Sequence, residues 1–175
     1  MGIIGYGRIG REVAKRAHFG FGMKIIVQNR SKINNDVLIR TNAQQVDNLD
    51  ELLEKSDFIS LHCPGGTENK HLISSKQFKK MKNTAILINT ARGEVVDDEA
   101  LISALRENQI AAVGLDVFND EPNINPGLLK FQNAILLPHL GSATQETREA
   151  MGFRVLDNIA DFFEGKVPRL SLIHI

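Results

Sequence analysis

The chain has 175 residues, enough for one ordinary domain and too few for two comfortable ones. Its 21 Lys and Arg balance 21 Asp and Glu, so the formal charge is zero and no global field is available to hold nucleic acid or an anionic membrane. Hydrophobic residues are 42% of the chain and charged residues 24%, which is the composition of a globular domain with a sizeable core. A single cysteine, Cys63, excludes an internal disulfide framework and a multi-cysteine zinc site, and no metal site is expected. With no apolar run approaching the ~20 residues of a membrane span and no secretory leader pattern, a cytoplasmic protein is expected.

Met1-Gly2-Ile3-Ile4 runs into an apolar strand with no lead-in, and Gly5-Tyr6-Gly7-Arg8-Ile9-Gly10 follows at once. This is a G-x-G-x-x-G between a predicted strand and a predicted helix. Gly5 permits the tight turn, Gly7 lets backbone approach a pyrophosphate, and Gly10 lets helix and strand pack closely. Helix amides then face the anion, and Arg8 adds charge to the cradle. The helix places Ile9, Val13, Ala14 and Ala17 on one face and ends near Gly20 or Gly22.

The second strand, Lys24 to Val27, leads into Gln28-Asn29-Arg30-Ser31. NAD-selective sites carry an acidic residue there to accept from the adenosine ribose, and no carboxylate stands at this position. Arg30 offers a planar fork for a ribose 2′-phosphate, Ser31 a hydroxyl and Asn29 a neutral amide, which favours NADP(H) over NAD(H). The polar stretch from Ser31 to Asn42 reads as a connection.

Further buried strands are expected at Asp57 to Leu61, Ala85 to Ile88, Ala111 to Leu115 and Ala134 to Leu137. Six strands alternating with helices describe an α/β fold, a doubly wound parallel sheet of the Rossmann dinucleotide-binding type. Ser74 or Ser75 caps a helix through Met81 whose Lys76, Lys79, Lys80 and Lys82 form a solvated face. Asp97 caps a helix to about Glu107, and a last helix from about Thr144 to Phe163 carries Met151, Val155, Leu156, Ile159, Phe162 and Phe163 as a core or subunit contact.

Three segments place polar residues just past a strand's C-terminal end, where open parallel sheets bind ligands. They are Asn89-Thr90-Ala91-Arg92-Gly93, Asp116-Val117-Phe118-Asn119-Asp120-Glu121-Pro122, and Pro138-His139-Leu140-Gly141-Ser142. Taken singly, Arg92 reads as a surface arginine, Glu121 as a loop carboxylate and His139 as a turn residue. Taken in order with the glycine loop and Leu61-His62-Cys63-Pro64, the chain resembles the cofactor domain of D-isomer-specific 2-hydroxyacid dehydrogenases over nearly its whole length.

Within that family the Asn29-Arg30-Ser31 ending is similar to NADPH-dependent glyoxylate and hydroxypyruvate reductases. The resemblance implies a catalytic set of Arg92, Glu121 and His139, with Asp116 near the nicotinamide carboxamide and Cys63, Pro64, Thr90, Ala91, Ile9 and Gly141 lining the cofactor. The chemistry agrees: Arg92 can hold a 2-oxo acid's carboxylate and polarise its carbonyl, His139 can deliver a proton near neutral pH, and Glu121 can stabilise the imidazolium. Cys63 has no neighbouring base and reads as a packed residue rather than a nucleophile.

The resemblance also implies a homodimer and a substrate domain that this chain does not carry, so cofactor binding with impaired turnover is expected. On this reading residues 1–165 form the dinucleotide-binding domain, truncated near the first strand, and 166–175 a tail returning to the absent domain. Phe19-Gly20-Phe21-Gly22-Met23 departs from the family by one extra residue before the second strand. A dinucleotide-sensing interaction module, similar to corepressors of the same fold, is the alternative reading.

Overall fold

The computed structural model describes residues 1–168 and divides into two compact units, Met1–Pro138 and a second from His139 onward. Residues 169–175, most of the expected tail, lie outside the described residues. The first unit holds seven strands: β1 Gly2–Ile4, β2 Ile25–Gln28, β3 Ala43–Gln45, β4 Phe58–Leu61, β5 Ile86–Asn89, β6 Ala112–Leu115 and β7 Ala134–Leu136. They form one sheet in the order β3-β2-β1-β4-β5-β6-β7, with every adjacent pair parallel. The reversal of direction beside β1 is the switch point of a doubly wound sheet, where ligands bind beyond the carboxyl ends of the strands.

Side-chain alternation assigns the two faces of the sheet. Ile3 packs with Tyr6, Ala14, Ala17, Ile25 and Val27 in one cluster. Ile4 packs with Leu52, Leu53, Ile59 and Leu61 in the other, larger one.

Helix α1, Arg8–Phe21, ends on Gly22 in the left-handed conformation (φ 64°), and the Gly22 and Met23 amides return to His18 and Ala17 carbonyls. The long Phe19–Met23 segment is thus absorbed by the helix end, and Ile4 stays paired with Gln28. Ile9 departs from the expected helix face. It is 68% exposed, while Gly10, Ala14 and Ala17 are buried, because the close approach of Gly10 to the Gly5 carbonyl turns the helix start toward the sheet.

The stretch after β2 is more than a connection. It holds the short helix α2, Asn35–Ile39, capped by the Asn34 side chain accepting from the Asp36 amide, and leads into β3. Helix α3, Leu49–Lys55, capped in the same way by Asn48, buries Leu52 and Leu53. Helix α4 is confined to Ser75–Phe78. Beyond it the Lys80 and Met81 amides bond three residues back, which tightens the chain into turns before the expected end at Met81. Its lysines are partnered in part, with Lys80 3.2 Å from Glu54 and Lys82 2.8 Å from Asp57. Helix α5, Asp98–Arg106, is capped as expected by Asp97, which accepts from the Glu99 and Ala100 amides.

The second unit is dominated by helix α6, Gln145–Phe163, whose cap Thr144 accepts from the Thr147 amide. Its apolar residues are not core: Met151, Phe153, Val155, Leu156, Ile159, Phe162 and Phe163 are all exposed. Among the described residues no helix is long and apolar enough to cross a membrane.

Candidate functional site

All strands of a parallel sheet end on the same edge, so the residues following β1, β2, β4, β5 and β6 share it. The turn after β1 is built from backbone. Gly5 adopts φ 91°, its amide donates to the Gln28 carbonyl at 2.9 Å, and a Cβ on it would lie 2.7 Å from the His62 carbonyl and the Cys63 amide. A side chain is excluded there both by conformation and by space. A Cβ on Gly10 would strike the Gly5 carbonyl oxygen, whereas one on Gly7 would meet nothing within 4 Å.

The amino end of α1 has no side-chain cap, and its first turn carries no acidic residue. A helix start without cap or carboxylate leaves its first amides as donors for an anion, as the glycine motif implies. Gly5 and Gly10 stand where no Cβ fits, and Gly7, Arg8 and Ile9 are exposed.

Tyr6, which the motif leaves unspecified, anchors this turn. It is buried, and its hydroxyl lies 2.6 Å from the buried Thr41 hydroxyl. The Tyr6 amide donates to Asn29 Oδ1 at 3.1 Å, and Asn29 Nδ2 donates to the Ser31 carbonyl and hydroxyl. Asn29 is therefore a brace between the glycine turn and the end of β2. Gln45 completes the brace, accepting from the Ile33 amide and donating to the Ser31 carbonyl.

A cavity of about 410 Å³ opens beside this brace, lined by Gly5, Asn29, Arg30, Ser31, Cys63, Pro64 and Glu68 among others. Arg30 reaches across it to Glu68, with Nη1 2.6 Å from the carboxylate. Cys63 is buried in the wall, and that burial pushes its thiol pKa up, which suits a packing role. His62 Nε2 lies 2.8 Å from the Ser60 hydroxyl, and burial holds its pKa below the usual histidine value.

The other half of the edge carries Arg92. Asn89 is fully buried; its Oδ1 accepts from the Ala91 amide, its Nδ2 donates to the Arg92 carbonyl, and its own carbonyl accepts from the Asp116 amide. One side chain thus shapes the Thr90–Arg92 turn, and its backbone joins that turn to the end of β6. Gly93 lies so close to the Phe118 and Asn119 backbone that no Cβ fits, and the Phe118 amide donates to Glu121 Oε1 at 2.9 Å. The segments bearing Arg92 and Glu121 are packed against each other in this way. The Arg92 side chain is exposed and donates to the Ala91 carbonyl. A Cβ on Gly65 would lie 3.0 Å from Arg92 Cγ, which brings the Pro64–Gly66 loop to the same place. His139 and Gly141 belong to the second unit, where His139 is exposed with φ 54°.

The sequence profile described as "D-isomer specific 2-hydroxyacid dehydrogenase, NAD binding domain" matches residues 1–141. The chain belongs to this family. Among D-isomer specific 2-hydroxyacid dehydrogenases, it is 51% identical over 168 residues to a glyoxylate reductase from Thermococcus litoralis, a match covering 96% of this chain and 50% of the relative. It is 47% identical over 170 residues to glyoxylate/hydroxypyruvate reductase B of Escherichia coli, covering 97% of this chain and 52% of the relative.

An NADPH-dependent glyoxylate/hydroxypyruvate reductase from Sinorhizobium meliloti, solved with NADP and malonate, superposes with a TM-score of 0.86 at 34% identity, over 93% of this chain and 49% of that one. The chain spans about half the length of the relatives it matches. It is a Rossmann-type nicotinamide-dinucleotide-binding portion of that family's fold.

Three contributors to the site escape the sequence reading: Tyr6, Gln45 and Glu68. Tyr6 carried a usable signal, an aromatic residue between two glycines next to an apolar strand. The other two act across loops that only the topology brings together.

Proposed function

We propose that this chain is the cofactor domain of an NADPH-dependent reductase of small 2-oxo acids, glyoxylate or hydroxypyruvate, acting in the cytoplasm and yielding the D-2-hydroxy acid. The observation that carries this reading is the glycine cradle opening into a cavity whose wall bears Arg30 and whose β2 end bears no carboxylate of its own. Relatives named for glyoxylate and hydroxypyruvate reduction support the substrate class.

The bound nicotinamide supplies a hydride to the substrate's carbonyl carbon. Arg92 binds the carboxylate with its planar, permanently charged fork and draws electron density from the carbonyl. His139 delivers a proton to the carbonyl oxygen, and Glu121 stabilises the imidazolium and orients the ring. Asp116, buried at the end of β6, is assigned to the nicotinamide amide, with Thr90, Ala91 and Gly141 lining that end and Ser31 joining Arg30 at the other. Nicotinamide chemistry needs water excluded and the substrate held between two walls, so this chain alone binds cofactor far better than it turns over. The exposed apolar residues of α6 support a further element of the proposal, a homodimer.

The test is NADPH oxidation with glyoxylate and with hydroxypyruvate, in this chain and in a protein carrying it over the relatives' full length. The full-length protein consumes one or both acids, and His139→Gln slows it by roughly 10²–10⁴-fold. Turnover of neither acid, or a rate insensitive to His139→Gln, overturns the reading.

A further inference from the structure

Asn29-Arg30-Ser31 at the end of β2 carries no carboxylate, but the fold delivers one from elsewhere. Glu68 lies in the loop between β4 and α4, and its carboxylate sits 2.6 Å from Arg30 Nη1 on the wall of the same cavity. Neither loop is loosely placed. The residues flanking Arg30 are held: Asn29 Oδ1 accepts from the Tyr6 amide, and the Ser31 carbonyl accepts from Asn29 Nδ2 and Gln45 Nε2. The Glu68 loop is held by Asn69, whose amide donates to the Gly66 carbonyl and whose Nδ2 donates to the Pro64 carbonyl, and by Glu94, which accepts from the Gly66 amide. The two side chains themselves are 87% and 74% exposed, so either can swing away without disturbing the core.

We propose that Glu68 is a specificity-determining residue of the cofactor site, opposing the 2′-phosphate at Arg30 and thereby setting the ratio of NADPH to NADH affinity. The inference rests on the assignment of Arg30 to the 2′-phosphate. A phosphate held by the Arg30 fork either displaces Glu68 from its ion pair or lies within a few ångströms of its carboxylate. Both outcomes weaken NADPH binding. NADH brings only ribose hydroxyls, which donate to a carboxylate without repulsion. Arg30 and Glu68 therefore pull the selectivity in opposite directions, and removing the carboxylate's charge sharpens the preference for the phosphorylated cofactor. Like unit charges at about 4 Å in a solvent-like dielectric change an equilibrium by a factor on the order of five.

Dissociation constants for NADPH and NADH, read from nicotinamide fluorescence in the parent chain, Glu68→Gln and Arg30→Ala, test this. Glu68→Gln raises the ratio of the NADH to the NADPH constant about fivefold, an effect that shrinks as salt is added. A ratio that stays within about twofold of the parent, while Arg30→Ala weakens NADPH, overturns the role of Glu68 and leaves the NADP reading standing. An Arg30→Ala chain that keeps its NADPH affinity overturns the NADP reading and this inference together.

Discussion

The glycine turn and the Arg30–Glu68 pair line one cavity and are built in opposite ways. The turn is backbone packed on backbone, with Gly5 against His62 and Cys63 and Gly10 against Gly5. The pair is two exposed side chains meeting across a gap. The first cannot accept a methyl group at Gly5 or Gly10, and the second can lose a charge without disturbing the core. On the function proposed above, binding of the pyrophosphate, common to both nicotinamide cofactors, would fall to the inflexible part, and discrimination between them to the part that side-chain changes tune at little cost.

Substitutions can break or sharpen this contrast. Gly5→Ala is expected to have the largest effect, about 2–4 kcal/mol of lost stability by urea unfolding together with loss of NADPH binding, because an L side chain is strained at φ 91° and meets backbone at 2.7 Å. A cost under about 1 kcal/mol would show that the turn yields and would dissolve the contrast. Tyr6→Phe comes next, at about 1–2 kcal/mol, since the buried Thr41 hydroxyl loses its partner while the ring still fills its place.

A pH effect follows from His62. Burial lowers its folded pKa, so near the ordinary histidine value of about 6.5 the unfolded chain binds more protons than the folded one. Stability is then full above that value and falls as the pH drops through it toward the folded pKa. A thermal melt series from pH 8 to pH 5 checks this, and the slope flattens in His62→Gln. At the small end, Glu68→Gln shifts stability by no more than about 0.5 kcal/mol in the same urea assay, even while it moves cofactor preference.

The same contrast explains what could be read from the chain itself. Where function needs backbone without side chains, it writes glycine, and Gly5, Gly7 and Gly10 were legible at once. Strands β1, β2 and β4 to β6 were legible because burial demands continuous apolar runs, and β7 from its apolar run alone, for at the sheet edge Ile135 and Leu137 are exposed and the strand is not the buried one expected. Strand β3 was not, since Ala43-Gln44-Gln45 is a short, polar edge strand whose side chains serve local bonds such as those of Gln45 to Ser31 and Ile33. Ile9 was misplaced by counting helical period without allowing for the Gly10 contact that sets the helix on the sheet. Glu68 lies 38 residues from Arg30 and carries no pattern of its own. Only the placement of β4 beside β1 brings its loop to the end of β2. Arg92, Glu121 and His139 are proposed from motif order, and the Arg92 and Glu121 segments are joined through Gly93 and Phe118.

The position of β1 in the sheet also bears on how the chain acquires its shape during synthesis. Earlier in sequence than both its neighbours, β1 lies between β2 and β4, and its residue Ile4 pairs with Gln28 on one side and Leu61 on the other. The glycine turn rests on His62 and Cys63, so it has no floor until those residues have left the ribosome, and the long-range closure that brings them back carries an entropic cost. The packing of Gly5 on His62 and Cys63 involves no later residue, whereas the Glu68 loop beside it also waits for Glu94, which accepts from the Gly66 amide. Arg92 and the residues after it join a glycine turn that already has its floor.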